Sequence, residues 1–282
     1  MRPPRAAGIG RPLPRPRHRQ QAFGGGFRPG NPLASADSPR SPSTRPAVTT
    51  ASPGVAFYSI GENCLGHGVL QRHGVAPLLS TPFSHARSNI DYATQLVETD
   101  FVDMLTPRFL HHEQRNKTRM PVHSLYTCEA GLYEKSVCNG FEFSHHDVID
   151  DAENRASYLR KAQRFLDGLS GTGPACFLYH HRLHRTQDIA RVAAKLRRFQ
   201  ELCRARSGRP ISVTMFTQRL VGSDDQRRVE FLRPDGIPVA ILHTRHKWCG
   251  TDPEQFWGRV DDDLFARMIG AFEFHAATAG TF

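Results

Sequence analysis

An α/β fold with a mostly parallel sheet flanked by helices in Rossmann-like layers is what this sequence predicts, on three observations. From residue 155 onward, amphipathic and wholly apolar stretches alternate. Leu159, Ala162, Phe165, Leu166 and Leu169 form a helical stripe, and Ala175 to Tyr179 form an apolar strand. Ile189, Val192, Ala193, Leu196, Phe199 and Cys203 form a second stripe, followed by the strand Ile211 to Phe216. Strands that are apolar on both faces and separated by helices are the signature of a parallel sheet covered on both sides. The second observation is the run Val55-Ala56-Phe57-Tyr58-Ser59-Ile60, which leads directly into a helical pattern at Leu65, Val69 and Leu70 that Gly74 stops. The third is Val229 to Leu232 and Pro238 to Leu242, set around the turn Pro234-Asp235-Gly236.

The remaining elements follow the same reading. A helix is expected from Ile90 to Leu105, an exposed loop at His111 to Lys117, and a short hairpin of Val122 to Cys128 with Gly131 to Ser136 about Glu129-Ala130-Gly131. Gly140 to Ser144 reads as a third extended piece, and a long helix runs from Pro253 to Phe274 with Val260, Leu264, Met268 and Phe272 on one face.

Charge separates the chain into two parts. The formal net charge is +10, yet residues 1 to 50 alone hold nine Arg and one Asp, together with ten of the twenty prolines and Gly24-Gly25-Gly26. Such a stretch cannot bury enough apolar surface to offset its ordering entropy, so residues 1–52 are expected to be a disordered basic tail and 53–282 a single α/β domain. Only Phe23 and Phe27 interleave with the arginines, which offers little stacking platform and argues against nucleic acid as a partner. No secretory apolar core follows Met1 and no segment approaches a membrane span, so a cytoplasmic protein is expected. The six cysteines are scattered through a chain large enough to build its own core, which points to reduced thiols.

Gly61-Glu62-Asn63-Cys64 places a thiol where a strand passes into a helix. Unpaired N–H groups at a helix start favour a thiolate, so Cys64 is a candidate nucleophile with a lowered pKa; the competing reading is a small buried hydrophobe. Asn63 is a candidate oxyanion donor or a helix cap, and Glu62 an acid or a solvated side chain. His243-X-X-His246-X-X-Cys249 and His180, His181 and His184 offer possible metal ligands, but His-X-X-His on an extended segment does not set both rings on one face, and Arg182, Arg185, Arg245 and Lys247 nearby suit an anion better. No metal or cofactor is expected. Gly61 to Gly68 is glycine-rich but lacks the order of a dinucleotide or phosphate loop, and Gly-X-Ser-X-Gly is absent.

The run Phe57 to Ala86, with Gly61 to Cys64, Leu70 to Gly74 and Pro82-Phe83-Ser84-His85, resembles the opening of a bacterial family of unknown function described as papain-like cysteine peptidases. Phe141 to Asp147 matches the family's His-Asp pair after an aromatic strand, and Tyr158 to Phe165 its Arg-rich helix. The resemblance implies a cysteine-centred site in which Cys64 is the nucleophile and His146, beside Asp147, its partner, with His145 the competitor because one residue of register decides which ring faces inward. Ser84 and His85 stand where the family usually has an acidic residue and a tryptophan. The implied activity is hydrolysis or acyl transfer on an unknown substrate, peptide, acyl or sugar-linked. The alternative is a non-proteolytic protein that binds a sugar or anionic ligand at the Gly61–Cys64 turn. The papain topology itself, a helical half beside an antiparallel half, is not expected from the strand–helix alternation.

Deleting residues 1–52 should leave the thermal unfolding midpoint unchanged to within about 2 °C, because a tail with no core of its own contributes little to stability. A midpoint lowered by several degrees would show that the tail packs on the domain.

Overall fold

The computed structural model describes residues 55–115, 118–182, 188–249 and 252–278. The disordered tail expected for 1–52 lies outside them, as do His184 and Arg185. Two sheets organise the described chain. The larger has the strands β1 (Ala56–Gly61), β5 (Ala175–His180), β6 (Ile211–Leu220), β8 (Val239–Thr244) and β7 (Arg228–Leu232) in the spatial order β1-β5-β6-β8-β7. The first four are parallel and β7 is an antiparallel edge, the hairpin expected about Pro234-Asp235-Gly236. This is the predicted mostly parallel α/β sheet.

Period-two alternation assigns the two faces. Tyr58, Phe177, Tyr179, Val213, Met215 and Ile241 point into one apolar layer, which they share with helices α2 (Ile90–Glu98), α3 (Ala152–Leu169) and α4 (Asp188–Ser207). Phe57, Cys176, Leu178, Phe216, Ala240 and Leu242 face the other, against α1 (Leu65–Arg72) and α6 (Asp262–Thr278). The full burial of the Phe, Tyr, Ile and Leu side chains in both layers, worth about 1.5–3 kcal/mol each, holds the helices to the sheet. No described helix is long and apolar enough to cross a membrane.

Three elements differ from the sequence reading, each for a local reason. The helix from Ile90 ends at Glu98, not Leu105, because Asp100 and Phe101 take positive φ and turn the Phe101 ring back against Phe83 and Phe165. The segment His111 to Arg115, read as loop for its polarity, lies in β2 (Leu110–Arg115), which pairs antiparallel with β3 (Thr118–His123); β3 in turn pairs with β4 (Phe141–Glu142). The hairpin expected at 122–136 is therefore replaced by one that uses the preceding polar run, and 124–140, regular only in the 3-10 turn Lys135–Val137, is pinned to α2 where Asn89 Nδ2 donates to the Val137 carbonyl. The long carboxy-terminal helix is broken into α5 (Pro253–Phe256) and α6 at Gly258, φ 62°. A side chain there would meet Phe265 at 2.9 Å and the Trp248 indole nitrogen at 3.1 Å.

The glycines that resembled a phosphate loop have packing roles. Gly61 has φ 146°, and a Cβ would lie 2.7 Å from the His180 backbone nitrogen; at Gly66 it would lie 2.8 Å from Ser59 Oγ. These two positions let the chain leave β1 tightly beside β5 and let α1 rest on the sheet. Gly61→Ala should lose about 3 kcal/mol or more, from positive-φ strain plus a backbone clash. Urea unfolding midpoints measure this, and an unchanged midpoint would mean the turn can relax.

Candidate functional site

The carboxyl edge of the parallel strands is where ligands bind in open α/β sheets, and β1 delivers the Glu62–Cys64 turn to that edge. Glu62 is not a solvated side chain, as one reading of the sequence had it, but is fully buried. Its Oε1 accepts hydrogen bonds from the Tyr179 hydroxyl at 3.0 Å and His181 Nδ1 at 2.6 Å, and its Oε2 accepts from the Arg182 amide at 2.9 Å. Its own amide donates to the His180 carbonyl, continuing the β1–β5 ladder by one residue. The carboxylate thus sews the turn that carries Cys64 to the end of β5. Asn63 is tied beside it: its Oδ1 accepts from the Leu65 amide at 3.1 Å and from His180 Nδ1 at 2.7 Å. The helix-cap reading of Asn63 is therefore realised in part. Its Nδ2 makes no protein hydrogen bond among the described residues, so a donor remains. His180 lies flat on Phe216, and burial, with Arg182 and His181 close by, holds its pKa well below the usual value and keeps it neutral.

Cys64 occupies the N-cap position of α1 and is half-buried. Its thiol is not acidified, contrary to the sequence expectation. Burial pushes its pKa above the ordinary value, and its own backbone amide and the Arg87 guanidinium offset this only in part. The helix end loses to desolvation because α1 is only two turns long and Cys64 caps it rather than facing it.

A cleft of about 300 Å³ opens at Cys64, lined by His67, Gln71, Arg72, His85 and Trp257 among others. His67 and His85 meet edge to face, with ring centroids 4.9 Å apart, and His145 lies 6.4 Å beyond His85. Burial is the first cause that lowers the pKa of each cleft imidazole. His67 falls under burial and the charge of Lys161, and His85 falls to about 4 under burial with His67, Lys161, His145 and His146 around it.

His146 is held rather than free. Its Nδ1 donates to Asn154 Oδ1 at 3.0 Å, and its Nε2 accepts from Lys161 Nζ at 3.3 Å. Asn154 is fixed in turn by Asp151, which its Nδ2 reaches at 2.9 Å and which caps α3. Asp147 does not orient His146. It accepts from the Ile149 and Asp150 amides and from His112 Nε2 at 3.1 Å, so it builds the turn before α3 and ties it to β2. Burial raises its pKa, but the amide of Asp150, His112 and the amide of Ile149 outweigh that and hold it below the usual carboxylate range. Adjacent side chains point apart, so the sequence neighbour of a histidine was a poor guide to its partner.

His112, Asp147 and Asp150 bring one ligand atom each within 4.8 Å of one another. Asp150 is already paired with Arg119 at 3.0 Å, which accounts for its charge. His243, His246 and Cys249 do not form such a group among the described residues; His243 bonds Glu230 at 2.8 Å instead. The sequence reading missed His67, Lys161 and Asn154, and weighed the buried His181 only as a possible metal ligand. The signal for His67 was its i+3 spacing from Cys64, which places both on one face of α1.

A thiol on a strand-to-helix turn at the carboxyl edge of a parallel α/β sheet, lining one cleft with a pair of imidazoles, is the class of site this fold defines. A family profile matches residues 55–234, well over half of the chain, and the chain belongs to that family, which is described as "Putative papain-like cysteine peptidase (DUF1796)". Neither the curated proteins nor the solved structures contain a match to the chain.

Truncating Glu62 should be costly, because it strands His181, the Tyr179 hydroxyl and an amide in a dry site. Glu62→Ala is expected to lose about 3–5 kcal/mol. Glu62→Gln should recover only part of this, since its amide N–H2 must face another donor. Denaturant titration of both variants measures the effect, and a loss under about 1 kcal/mol for Glu62→Ala would show that the carboxylate does not hold the turn.

Proposed function

We propose that the protein is a cysteine-dependent hydrolase or acyl transferase whose nucleophile is Cys64. The observation that carries this reading is the placement of Cys64 in one cleft with two neutral imidazoles, at the edge of the sheet where ligands bind. In the proposed reaction Cys64 Sγ bonds to the substrate carbonyl carbon, the carbonyl π pair moves onto oxygen, and the thiol proton passes to an imidazole. Asn63 Nδ2 and the backbone amides at the start of α1 offer hydrogen bonds to that oxygen. The tetrahedral species collapses with loss of an amine or alcohol, which takes the proton from the imidazolium. Water then attacks the thioester, its proton going to the same imidazole, and the acid and free thiol are released.

His85 is assigned as the proton acceptor because it shares the cleft with Cys64. His146, the sequence candidate, remains the second assignment. One observation favours it: Asn154 fixes its tautomer in the way an orienting residue must. Burial holds the His85 pKa down at about 4 and pushes the Cys64 thiol up, so in this reading the resting pair is a thiol and a neutral imidazole. Proton transfer must therefore accompany carbon–sulfur bond formation. The same resting thiol favours the alternative of an anion- or sugar-binding protein without covalent chemistry. All six cysteines are free thiols, which supports a reducing, cytoplasmic setting, and residues 53–282 are read as a single domain.

Iodoacetamide labelling followed by peptide mass spectrometry distinguishes these readings. In the free protein, Cys64 alkylation should keep rising with pH beyond about 8.5, because an acid with a raised pKa stays protonated through the range where an ordinary thiol ionises. Against a panel of thioester and activated-amide substrates, Cys64→Ser should abolish turnover and His85→Ala should lower kcat/KM about 100-fold or more, in line with general-base loss. A larger loss with His146→Ala than with His85→Ala would transfer the role to His146. Full turnover in Cys64→Ser would end the nucleophile reading.

A further inference from the structure

We propose that Trp257 is the platform on which the cleft holds the acyl half of its substrate, and that the group held there is an uncharged aromatic ring a few bonds from the carbonyl. The role of that carbonyl rests on the assignment of Cys64 as nucleophile; the ring site does not. Trp257 lies beyond residues 55–234, the part of the chain that the family profile matches, so membership of the family assigns it no role.

The first observation is where the indole sits. Trp257 caps the carboxyl end of α5, and a Cβ at Gly68 would meet its Cε3 and Cζ3 at 3.6 Å. The six-membered ring therefore rests on α1 at a residue that has no side chain. Gly68 follows Cys64 by four positions, which puts both on one face of the helix about 5–6 Å apart. Indole and thiol accordingly line one cleft of about 300 Å³, together with the imidazoles of His67 and His85. A ring held against Trp257 leaves an acyl carbonyl about two or three bonds away within reach of Sγ.

The second observation is that the platform is fixed before any ligand arrives. The Trp257 amide donates to the Pro253 carbonyl at 3.0 Å, and Phe256 meets the indole edge to face with ring centroids 5.0 Å apart. The chain then turns at once through Gly258, where a side chain would strike Phe265. Just beyond, Asp262 accepts from Arg72 of α1 at 2.6 Å, which ties this wall of the cleft to the helix that follows the thiol. Trp257 is nevertheless only half-buried. A wall already in place and partly uncovered binds a ring without first having to be ordered.

The third observation is the chemistry of the lining, which selects among ligands. Both guanidinium groups at the cleft are compensated, Arg72 by Asp262 and Arg259 by Glu254 at 2.8 Å. The imidazoles are neutral, with pKa values lowered first by burial. An ionic ligand thus meets no unpaired charge among the lining residues. A sugar carries several hydroxyls, each of which needs a partner when it leaves water. The cleft is lined by no hydroxyl or carboxylate side chain and by a single carboxamide, that of Gln71. An aromatic ring needs neither charge nor hydroxyl partners, and stacking on an indole is worth about two- to tenfold in affinity beyond the area it buries.

The test uses the full-length protein. Phenylpropionamide is the ring probe, propionamide lacks the ring, cyclohexylpropionamide carries a saturated one, and methyl glucoside is the sugar. Binding is read by protection of Cys64 from iodoacetamide and by tryptophan fluorescence, whose two reporters are Trp257 and the buried Trp248. The phenyl probe should bind at least tenfold more tightly than propionamide and about threefold more tightly than the saturated analogue, with no competition from the glucoside. Trp257→Ala should weaken phenyl binding at least tenfold and leave propionamide unchanged, and Trp257→Phe should recover most of the loss. If circular dichroism shows Trp257→Ala unfolded, Gly68→Val, whose methyl groups would displace the indole, should remove the ring preference in its place. In turnover, the phenylpropionyl thioester should exceed the propionyl thioester about tenfold in kcat/KM, and the same variants should erase that ratio. Cys64→Ser, read by fluorescence, should keep ring binding. Ring binding with turnover that survives Cys64→Ser ends the nucleophile reading alone; Cys64-dependent turnover without ring preference ends the platform alone. The proposal is overturned if the phenyl probe binds no better than propionamide or the saturated analogue, if the glucoside binds as tightly, or if the folded variant keeps the preference.

Discussion

The site depends on one buried carboxylate. Glu62 leaves β1 at the point where the chain must turn into α1, and instead of reaching solvent it gathers the Tyr179 hydroxyl, His181 Nδ1 and the Arg182 amide. In a dry environment each of these bonds is strong and each would be expensive to leave unmade, so the three together fix the turn far more firmly than α1 could by itself. Gly61 permits the approach and Glu62 enforces it, because the absence of a Cβ at 61 lets the turn lie directly on the His180 backbone. The placement of Cys64 is thus a property of the β1–β5 junction. The local helix is too short to set it.

The same junction explains the chemistry of the resting site. Holding Cys64 against the sheet edge buries it, and desolvation then opposes the thiolate more strongly than the helix end supports it. Around it burial, helped by the nearby positive charge of Lys161, keeps the imidazoles neutral. A reactive thiolate–imidazolium pair needs the opposite environment, with negative charge near the histidine and polar groups near the sulfur.

The likeness named by the family concerns the cysteine and not the layout of the fold. A sheet of four parallel strands with an antiparallel edge, covered by helices on both faces, is a doubly covered α/β sheet. Function is carried by sites grafted on folds, so a thiol at this edge is compatible with acyl chemistry without papain's division into a helical and an antiparallel half.

Local pattern determined the strands from Ala175 and Ile211, the helices α3 and α4, the hairpin about Pro234-Asp235-Gly236 and the turn that carries Cys64, because burial on both faces and helical periodicity are written residue by residue. It misread β2, a polar strand whose partner had to be known before its pairing could be seen, and it ran α2 past Glu98 because only the packing of Phe101 against Phe83 and Phe165 demands the break. The site divided along the same line. Cys64 and Asn63 were legible, since a strand-to-helix turn is local. Glu62 reaching His181, Asp147 reaching His112, His146 reaching Asn154 and Lys161, and His85 joining His67 were decided by tertiary structure alone. Each of these is a side-chain choice among partners that the chain brings together only on folding, and desolvation, which sets the charge state of Cys64 and of its histidines, exists only once the core has closed over them.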